Sequence, residues 1–585
     1  MKPLNKLIYI ALVFFVFAAG CDRCRSSSDG LERAADARVT TLSTALPDTA
    51  DAAVVVPDLM QMRTSVDFTL ERVSHYQPQI RTIEAQIARE LGIRITDEQS
   101  WKDSGISTDG SLIVAIVGNR PVVATYVDDR QKFESRLIER VRRFAETETP
   151  IRSDTIKGQS FKISGDDPAK DIAWFYRDSM VFLAMPPLDA LGAYKAGTAI
   201  SVISGVADVT PENSLGESES FKAFRRGLGD HFPISLYVHA ERYFERPATG
   251  PQSGIEAALE SLVAWSQSNA DAAGIGARAD EKRLELRAFV SGDEELLAEA
   301  RKAYTSEADT DWSGMLTERT VLGIRTGFDL SHAVETYLEG LPDAERRQIQ
   351  RQMVNIGRAY ELDMDEDVIG ALSGHSLLVF LGIGGDLSRL MGAVSSGSMP
   401  DIVRTVLSNA GLLVNLHFTD EEKLDLLLER LEEFGEDHLD RRNLLYKGDE
   451  IEDIELFEPR MLNIFPARLF HRGDSITLAA AGIGENAAYE YLTSNREDTL
   501  LVDSEKYELG KEFADSDGFN GVYLNFDNLR SNIRRIPMAS GFAGTLQPLH
   551  ELLISGGVDD DGFYMSAVMD FTDPLVVEED DDEDQ

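Results

Sequence analysis

Short apolar runs alternate with longer amphipathic segments through most of the chain. The first predicted strand covers 54–59 and leads into a helical stretch at 63–73. Strands at 111–117 and 122–128 then precede a helix at 132–141. Because hairpins are mixed with helices, the pattern predicts an α+β fold with mainly antiparallel sheets packed by helices, and it disfavours strict strand–helix alternation.

The same order of elements recurs in the second half of the chain. Ser111 and Ser376 open similar apolar strands 265 positions apart, whereas Lys132 and Lys423 open similar helices 291 positions apart. Other matching segments are 54–59 with 321–330, 78–91 with 342–360, 178–183 with 474–479, 235–238 with 521–524, and 276–290 with 557–569. We therefore predict two tandem homologous α+β units, at 49–304 and 314–573.

The two copies differ by an insertion of roughly 26 residues in the second copy. The first copy closes its hairpin through the short turn 118–121, whereas the equivalent strands of the second copy are separated by the segment from Gly382 to Ala410. A loop of this length inside a compact unit is usually functional or disordered. The insertion is therefore either a contact for an envelope protein partner or a neutral addition.

The first twenty residues have the pattern of an export signal. Lys2 and Lys6 precede the uncharged run 7–19, which as a helix would span about 20 Å, short of the roughly 30 Å hydrocarbon core of a bilayer. The run therefore fits the apolar region of a signal peptide better than a stable membrane span. No later segment approaches the roughly eighteen uninterrupted apolar residues that a spanning helix needs.

A short motif follows this apolar run. The tetrad Ala18-Ala19-Gly20-Cys21 resembles the lipobox of bacterial lipoproteins, with Ala18 in place of the usual Leu. The resemblance implies a signal peptide at 1–20, acylation of Cys21 and cleavage before that residue. Two or three acyl chains hold a protein stably at a bilayer, whereas one chain does so only reversibly. The alternative is an ordinary signal peptide cut near Gly20, with Cys21 an incidental thiol.

Polar segments flank the predicted units at both ends. Residues 25–48 contain a Ser-Ser-Ser-Asp-Gly run and no large aromatic side chain, so 21–48 is predicted to be a flexible tether behind the lipidated cysteine. The seven consecutive acids from Glu578 to Asp584 repel one another, and 574–585 is predicted to be a disordered acidic tail. The tail is interpreted as a solubilising segment, and the alternatives are cation buffering and docking on a basic partner.

Composition narrows the possible partners and the sources of stability. The chain has 585 residues, 101 acidic against 58 basic side chains, a formal net charge of −43, and 43% hydrophobic residues. Nucleic acid would meet a surface of its own sign, so we expect no nucleic-acid partner. Cys21 and Cys24 are the two cysteines. A disulfide framework is therefore excluded in the oxidising compartment to which the signal directs the chain, and packed cores must supply stability.

Sequence signatures of enzymes and cofactors are missing or incomplete. The chain has no GxSxG elbow and no GxxxxGK[ST] loop, and His550 lacks the second histidine of a zinc-protease helix. Gly482-Ile483-Gly484 lies between a predicted strand and helix, as a dinucleotide fingerprint would. The equivalent place in the first copy contains two prolines, so we interpret the glycines as a turn and expect no cofactor and no motif-defined catalytic or metal-binding residue.

Two acidic clusters resemble calcium sites in composition only. At 559–562 the position expected to hold a bidentate glutamate is Val568, so a hairpin turn is predicted there. The cluster at 363–367 is predicted to cap a helix, with weak surface calcium binding as the alternative.

Three phrases of the first copy carry a wider resemblance. They are Ala-Leu-Pro-Asp-Thr at 45–49, the strand ending Pro-Asp-Leu at 57–59, and the helix at 128–136. They resemble a bacterial family of exported proteins of unknown function with tandem repeats. The similarity covers 43–300 and, more faintly, 316–572. It implies a repeated fold and transfers no catalytic residues.

These observations together favour a membrane-anchored, periplasm-facing lipoprotein with a non-enzymatic binding or scaffolding role. The position of Asp22 resembles an inner-membrane retention signal that only some bacteria use. The protein is therefore placed at either the inner or the outer membrane. The alternative is a carrier of an apolar ligand in the cell envelope, which requires a deep, mostly apolar pocket. A third candidate is a hydrolase whose nucleophile and base meet only in the folded cleft.

Overall fold

The structure is a computed structural model that describes most of the chain between Asp29 and Thr572. The described residues are 29–76, 82, 85, 93–145, 150–165, 170–187, 197–229, 232–240, 242, 270–280, 282–303, 312–327, 329, 331–332, 334–335, 338, 343–383, 410–434, 439–446, 449–459, 467–480, 483–494, 498–515, 520–535 and 540–572.

The chain forms two compact units. The first consists of the described part of Met1–Leu297 together with Asp559–Ser566, and the second consists of the described part of Ala298–Val558 together with Ala567–Gln585. The division after Leu297 lies close to the boundary predicted at residue 304.

The turn within Asp559–Ser566 lies outside the unit predicted for it, since 314–573 was expected to form one body. Arg226 donates from Nε to Oδ1 of Asp561 at 2.8 Å, and Arg287 pairs with Asp559 at 3.6 Å. These ion pairs join the turn to the first unit. The prediction from sequence order had placed this turn in the second unit.

Ten strands form the sheet of the first unit. They are β1 (Ala52–Val56), β2 (Leu112–Val117), β3 (Arg120–Tyr126), β4 (Ile151–Ile156), β5 (Gln159–Ser164), β6 (Ile172–Arg177), β7 (Met180–Ala184), β8 (Ile234–His239), β9 (Ala272–Ala279) and β10 (Arg283–Ser291). Their order across the sheet is β4–β5–β6–β7–β3–β2–β1–β8–β9–β10, and each of these pairings is antiparallel.

Helices cover both faces of this sheet. They are α1 (Asp29–Ser43), α2 (Leu59–Tyr76), α3 (Glu98–Ser104), α4 (Arg130–Ala145), α5 (Ala199–Ala207) and α6 (Glu219–Leu228), with α7 (Glu294–Ala303) at the division between the units. Val55 packs in a core with α1, α5 and α6, whereas its neighbour Val56 packs in another core with α2 and α3. Successive side chains point to opposite faces of a strand, so burial of both faces explains the unbroken apolar runs.

The second unit contains a further ten strands. They are β11 (Leu322–Thr326), β12 (Leu372–Ile383), β13 (Ala410–Phe418), β14 (Leu439–Tyr446), β15 (Asp449–Pro459), β16 (Ala467–Arg472), β17 (Ser475–Ala480), β18 (Asn520–Asn525), β19 (Leu549–Val558) and β20 (Gly562–Phe571), of which β20 belongs to the second unit only from Ala567 onward. Their order is β14–β15–β16–β17–β13–β12–β11–β18–β19–β20, strand for strand the order of the first ten.

The helices of the second unit pack on its strands or on one another. They are α8 (Asp343–Tyr360), α9 (Glu421–Phe434), α10 (Ile483–Leu492), α11 (Glu508–Asp515), α12 (Phe526–Arg534) and α13 (Ser540–Thr545). The α+β class is confirmed, and each strand pair whose register the described residues define is antiparallel.

Two helix starts that the sequence predicted are present. Asp129 accepts the backbone N–H of Lys132 at 3.0 Å at the start of α4. Asp420 accepts the backbone N–H groups of Glu422 at 3.0 Å and Lys423 at 3.3 Å at the start of α9. Each aspartate satisfies amides that have no partner within their own helix.

The expected flexible tether is wrong for the part of 21–48 that the structure describes. Residues 29–43 form α1, and Val39, Leu42 and Leu46 are almost fully buried in the core of the first unit. Val39 and Leu42 lie three residues apart on one face of α1, and Leu46 follows the end of the helix. Arg225 also pairs with Asp36 at 2.8 Å, a partner 189 positions away that local composition could not reveal.

A buried ion pair joins three segments of the first unit. Arg120, at the start of β3, is fully buried and donates from Nη2 to Oδ1 of Asp171 at 2.6 Å. The guanidinium also donates to the carbonyl oxygens of Gly197 at 2.6 Å and Met185 at 3.1 Å. The other carboxylate oxygen of Asp171 accepts the backbone N–H of Ala199 at 2.8 Å, at the start of α5. This network satisfies both charges away from water.

Within the described ranges, none of the helices combines the length and apolar character that crossing a bilayer requires.

Removing the guanidinium should destabilise the first unit strongly. We expect Arg120→Ala to lower its free energy of unfolding by about 3 to 5 kcal/mol, because Asp171 would remain buried without a counter-ion. Urea denaturation followed by circular dichroism measures this loss. Arg136→Ala is the matched control, since Arg136 is 58% exposed beside Glu139 and its loss should cost less than about 1 kcal/mol. Equal effects of the two substitutions would contradict the stabilising role of the Arg120–Asp171 ion pair.

Candidate functional site

The predicted lipidation residue and two predicted contact segments lie outside the described residues. Cys21 precedes the first described residue, and the acidic tail 574–585 follows the last. Of the insertion between Gly382 and Ala410, only its edges are described, where β12 ends at Ile383 and β13 begins at Ala410. Asn532 holds one edge by accepting the backbone N–H of Ile383 at 2.9 Å.

One row of side chains across the sheet differs sharply between the two units. In the first unit the cross-strand register places Val55, Ile113, Ala124 and Phe182 side by side, and all four are completely buried. The row is entirely apolar, as a core between sheet and helices normally is.

The row at the same register positions of the second unit is mostly polar. It consists of Arg325, Leu377, Asn415 and Thr477, which are at most 6% exposed. We call these four residues the polar row. Burial of an amide and a guanidinium costs free energy unless their polar atoms find partners.

Trp312 covers the polar row. Its indole N–H donates to Oδ1 of Asn415 at 2.9 Å, and Nδ2 of Asn415 donates to Oγ1 of Thr477 at 2.9 Å. The guanidinium carbon of Arg325 lies 5.2 Å from the centroid of the Trp312 ring, a cation–π distance. Burial lowers the pKa of nearby His375, and the positive charges of His417 and Arg325 lower it further.

Two tyrosines occupy equivalent positions on the strands beside β1 and β11. Tyr237 lies opposite Ala53, and Tyr523 lies opposite Gly323. The hydroxyl of Tyr237 lies 2.8 Å from Oγ of Ser220, near the start of α6. Burial raises the pKa of Tyr237 to about 12. The first unit therefore uses a neutral hydroxyl pair at this place.

The second unit uses a buried carboxyl group at the corresponding place. Glu551 is fully buried and accepts hydrogen bonds from the Tyr523 hydroxyl at 2.9 Å and the backbone N–H groups of Gly510 at 2.9 Å and Leu509 at 3.2 Å. Burial raises the pKa of Glu551, although these hydrogen bonds oppose the rise. The carboxyl group thus holds the start of α11 against β18 and β19.

His550 and Asp527 form an ion pair next to Glu551. Nδ1 of His550 lies 3.0 Å from Oδ2 of Asp527, and Nε2 lies 3.2 Å from the carbonyl oxygen of Lys506. Burial alone would lower the pKa of His550, but Asp527 outweighs it and the net shift is upward. Burial likewise opposes the ionised form of Asp527, yet His550, Arg530 and Lys506 together lower its pKa.

This cluster is suited to holding segments together. Both ring nitrogens of His550 face partners within the protein, and both oxygens of Glu551 accept hydrogen bonds from it. A catalytic base needs a free nitrogen or oxygen that reaches a substrate proton. In the residues that the structure describes, the arrangement therefore fixes α11, α12 and β19 relative to one another.

The other sequence-predicted features take structural roles where they are described. A Cβ on Gly484 would lie 2.6 Å from the carbonyl oxygen of Leu412, so glycine is needed for close packing of α10 on β13. Asp559 accepts the backbone N–H groups of Asp561 and Gly562 in a turn, which confirms the predicted hairpin. Asp363 caps the π-helix Met364–Ile369, as predicted.

Among the described side chains, no group of three His, Cys, Asp or Glu is placed to hold a metal ion.

Comparison with known proteins gives little further information. No family model matches the chain, and no curated protein matches it. The chain is similar, at 8% identity, to the solved structures of crystal forms I and IV of TP0453. The match to form I covers 43% of this chain and 77% of the form I chain, with a TM-score of 0.21. The match to form IV covers 48% of this chain and 91% of the form IV chain, with a TM-score of 0.25. Likeness at this level assigns neither a fold family nor a function.

The His550–Asp527 pair should give the second unit a defined pH dependence. The folded pKa of His550 lies above its ordinary value of about 6.5, so its contribution is fully present below that pH and is lost as pH rises through the folded pKa. The folded pKa of Asp527 lies below about 3.9, so its contribution is present above that pH and is lost as pH falls. The pair is therefore strongest between about pH 4 and 6.5.

We expect His550→Gln to lower the free energy of unfolding by on the order of 1 kcal/mol in this window, after allowance for solvent screening, and by less at higher pH. Urea denaturation across the pH range measures the difference. His375→Gln is the control of opposite sign, because the folded pKa of His375 is lowered and its contribution is lost as pH falls below about 6.5. A pH-independent effect of His550→Gln would refute the stabilising role of the His550–Asp527 ion pair.

Proposed function

We propose that this protein is a lipid-anchored, periplasm-facing lipoprotein of the cell envelope with a non-enzymatic binding or scaffolding role. The observation that carries the proposal is the tetrad Ala18-Ala19-Gly20-Cys21 directly after the uncharged run 7–19. Small residues before a cysteine fit a lipoprotein signal peptidase, and acyl chains on Cys21 would hold the protein at a membrane without a spanning helix.

We also propose that the two units arose by duplication. The identical order of ten strands in each unit supports this origin. Individual backbone contacts support it as well, because Leu215 donates to the carbonyl oxygen of Leu46 at 2.7 Å and Leu501 donates to that of Leu316 at 3.0 Å. Both contacts lie next to isolated antiparallel bridges, Pro47 with Ser214 and Thr317 with Leu500.

A duplicated binding module on one tether suits a scaffolding role. Two related units on one chain raise the effective concentration of the second contact once the first has formed. The polar row and the buried Glu551 distinguish the second unit from the first, so the two units need not bind the same partner. The insertion between Gly382 and Ala410 belongs to the second unit and is the proposed contact for an envelope protein.

The two alternatives require features that the described residues supply only in part. A carrier of an apolar ligand needs a deep apolar pocket. A depression of about 320 Å³ in the first unit is lined by Lys157, Gln159, Ser204 and Asp208 beside a few apolar side chains, which is a polar lining. A hydrolase needs a free base beside a nucleophile, and His550 is engaged on both ring nitrogens.

Acylation tests the anchor directly. We expect the wild-type chain, expressed in a bacterial host, to incorporate labelled palmitate and to sediment with membranes. Cys21→Ser should abolish the label and leave the signal peptide uncleaved, whereas the control Cys24→Ser should be labelled like the wild type. Mass spectrometry of the amino-terminal peptide identifies the modified residue. An unlabelled wild-type chain, or a labelled Cys21→Ser variant, would disprove the anchor.

Affinity capture tests the partner contact of the insertion. We expect the full chain to recover an envelope protein from detergent-solubilised membranes, and a variant lacking residues 385–408 to lose it. A variant lacking the acidic tail 574–585 is the control and should retain the partner. Mass spectrometry of both proteins and lipids reads the result. Recovery of one stoichiometric lipid and no protein would favour the carrier function. Equal recovery of the envelope protein by both deletion variants would exclude the insertion as its contact site.

A further inference from the structure

The strand β4 forms one edge of the sheet in the first unit. In the part of the chain that the structure describes, its strand pairing is with β5 alone. The four central side chains of β4 are exposed, and Ile151 and Ile156 at its two ends are partly buried. An edge strand presents a row of backbone N–H and C=O groups that can pair with a further strand.

The turn after β4 determines which backbone groups point to the open edge. Ile156 and Gln159 close a two-residue turn in which Lys157 and Gly158 have φ values of 51° and 84°. Two positive φ values define a type I′ turn, whose closing residues form a hydrogen-bonded pair. Hydrogen-bonded and non-hydrogen-bonded pairs alternate along the hairpin, so residues 152, 154 and 156 bond to β5 and residues 151, 153 and 155 face the edge.

One backbone amide at this edge has a side-chain partner. The backbone N–H of Thr155 donates to Oδ1 of the adjacent Asp154 at 2.8 Å, which agrees with an amide that points away from β5. The carboxylate takes the place of a carbonyl oxygen on a further strand. A strand added at this edge would supply that carbonyl oxygen and release the carboxylate of Asp154 to face a cation.

The sequence of β4 is complementary to itself. Two antiparallel copies place edge-facing residues opposite each other, so the allowed registers differ by steps of two residues. With Ser153 opposite Ser153 of the second copy, residues 151–155 overlap and Arg152 lies opposite Asp154 twice. The neighbouring registers place Arg152 opposite Arg152, or Asp154 opposite Asp154. Because unlike charges stabilise a cross-strand pair and like charges destabilise it, one register is selected.

The matching edge strand of the second unit is less suited to such pairing. The pairing of β14 with β15 shifts register between Asn443 and Leu444. In contrast, β4 pairs with β5 without interruption from Ile151 to Ile156. Irregular pairing bends and twists a strand, and this is one way in which proteins block contact between sheet edges. The edge at β4 has the regular backbone that a further strand requires.

We propose that β4 pairs with β4 of a second copy of this chain, so that two first units share one antiparallel sheet across a two-fold axis. Pairing of an edge with itself is isologous, and it closes after two chains. Because the strand is short, the contact is a weak one. The pairing does not require the proposed lipid anchor, and it is separate from the proposed contact of the insertion.

Sedimentation velocity of the full chain in excess detergent tests the pairing. At about 0.15 M salt, repulsion between the net charges of two copies is screened beyond about 8 Å. We expect the wild type to dimerise as its concentration rises. Arg152→Asp and Asp154→Arg should each dimerise about tenfold more weakly, because two favourable cross-strand charge pairs become unfavourable.

Mixing the two charge variants gives the sharpest result. In a dimer of one Arg152→Asp chain with one Asp154→Arg chain, both opposed pairs again join an aspartate to an arginine. We therefore expect an equimolar mixture to recover dimers with the affinity of the wild type, although neither variant dimerises well alone. Recovery also shows that both variants fold. The control Arg136→Asp makes the same change of charge at an exposed position of α4 and should dimerise like the wild type.

A proline provides a second variant that leaves the charges unchanged. Ser153→Pro removes an N–H that faces the edge and that β5 does not use, and proline is tolerated on the solvent side of an edge strand. It should weaken dimerisation about tenfold, because each copy loses a hydrogen bond at the centre of the contact.

Four outcomes would overturn the proposal. The first is a wild-type chain that remains monomeric at about 0.1 mM, where a weak contact is still measurable. The second is a mixture of the two charge variants that dimerises no better than either variant alone. The third is an equal loss in the control Arg136→Asp, which would mean that total charge governs association. The fourth is unchanged dimerisation of Ser153→Pro, which would place the interface elsewhere.

Discussion

The pairing of one short central strand on both sides is the constraint on which each sheet depends. β1 and β11 have five residues each, and both are hydrogen-bonded along two edges. In the first unit the strand on one side, β2, begins at Leu112, and the strand on the other side, β8, begins at Ile234. A buried backbone amide without a partner is costly. The backbone groups of β1 are therefore satisfied only when β2 and the distant β8 both pair with it.

The same strand order accommodates two different interiors. Val55 and Phe182 stand in an apolar row in the first unit, whereas Arg325 and Thr477 occupy the matching positions in the second. Such a change is tolerated when the new polar atoms find partners. Trp312 supplies a donor and an aromatic face for that purpose. The backbone pairing is the same in both units. The second unit differs in its buried side chains, which are polar and hydrogen-bonded where those of the first unit are apolar.

The negative charge of the chain leaves its cations with partners that are often far along the sequence. The net charge of −43 favours solubility and disfavours contact with anionic surfaces in general. Arg120 meets Asp171 inside the first unit, and Arg225 meets Asp36 on α1. These long-range pairs join segments that no local charge pattern connects.

The sequence by itself determined the order of the main strands and helices, the caps at Asp129 and Asp420, and the recurrence of elements, because periodicity and capping are local properties of the backbone. It missed β4, whose Ile151–Ile156 segment is mostly exposed and lacks an apolar run. The tertiary structure alone decided that α1 packs in a core, that Arg120 meets Asp171 and that the turn at Asp559 joins the first unit. Burial and ion pairing depend on residues far apart in the chain, and no local pattern specifies which distant partner will cover a given face.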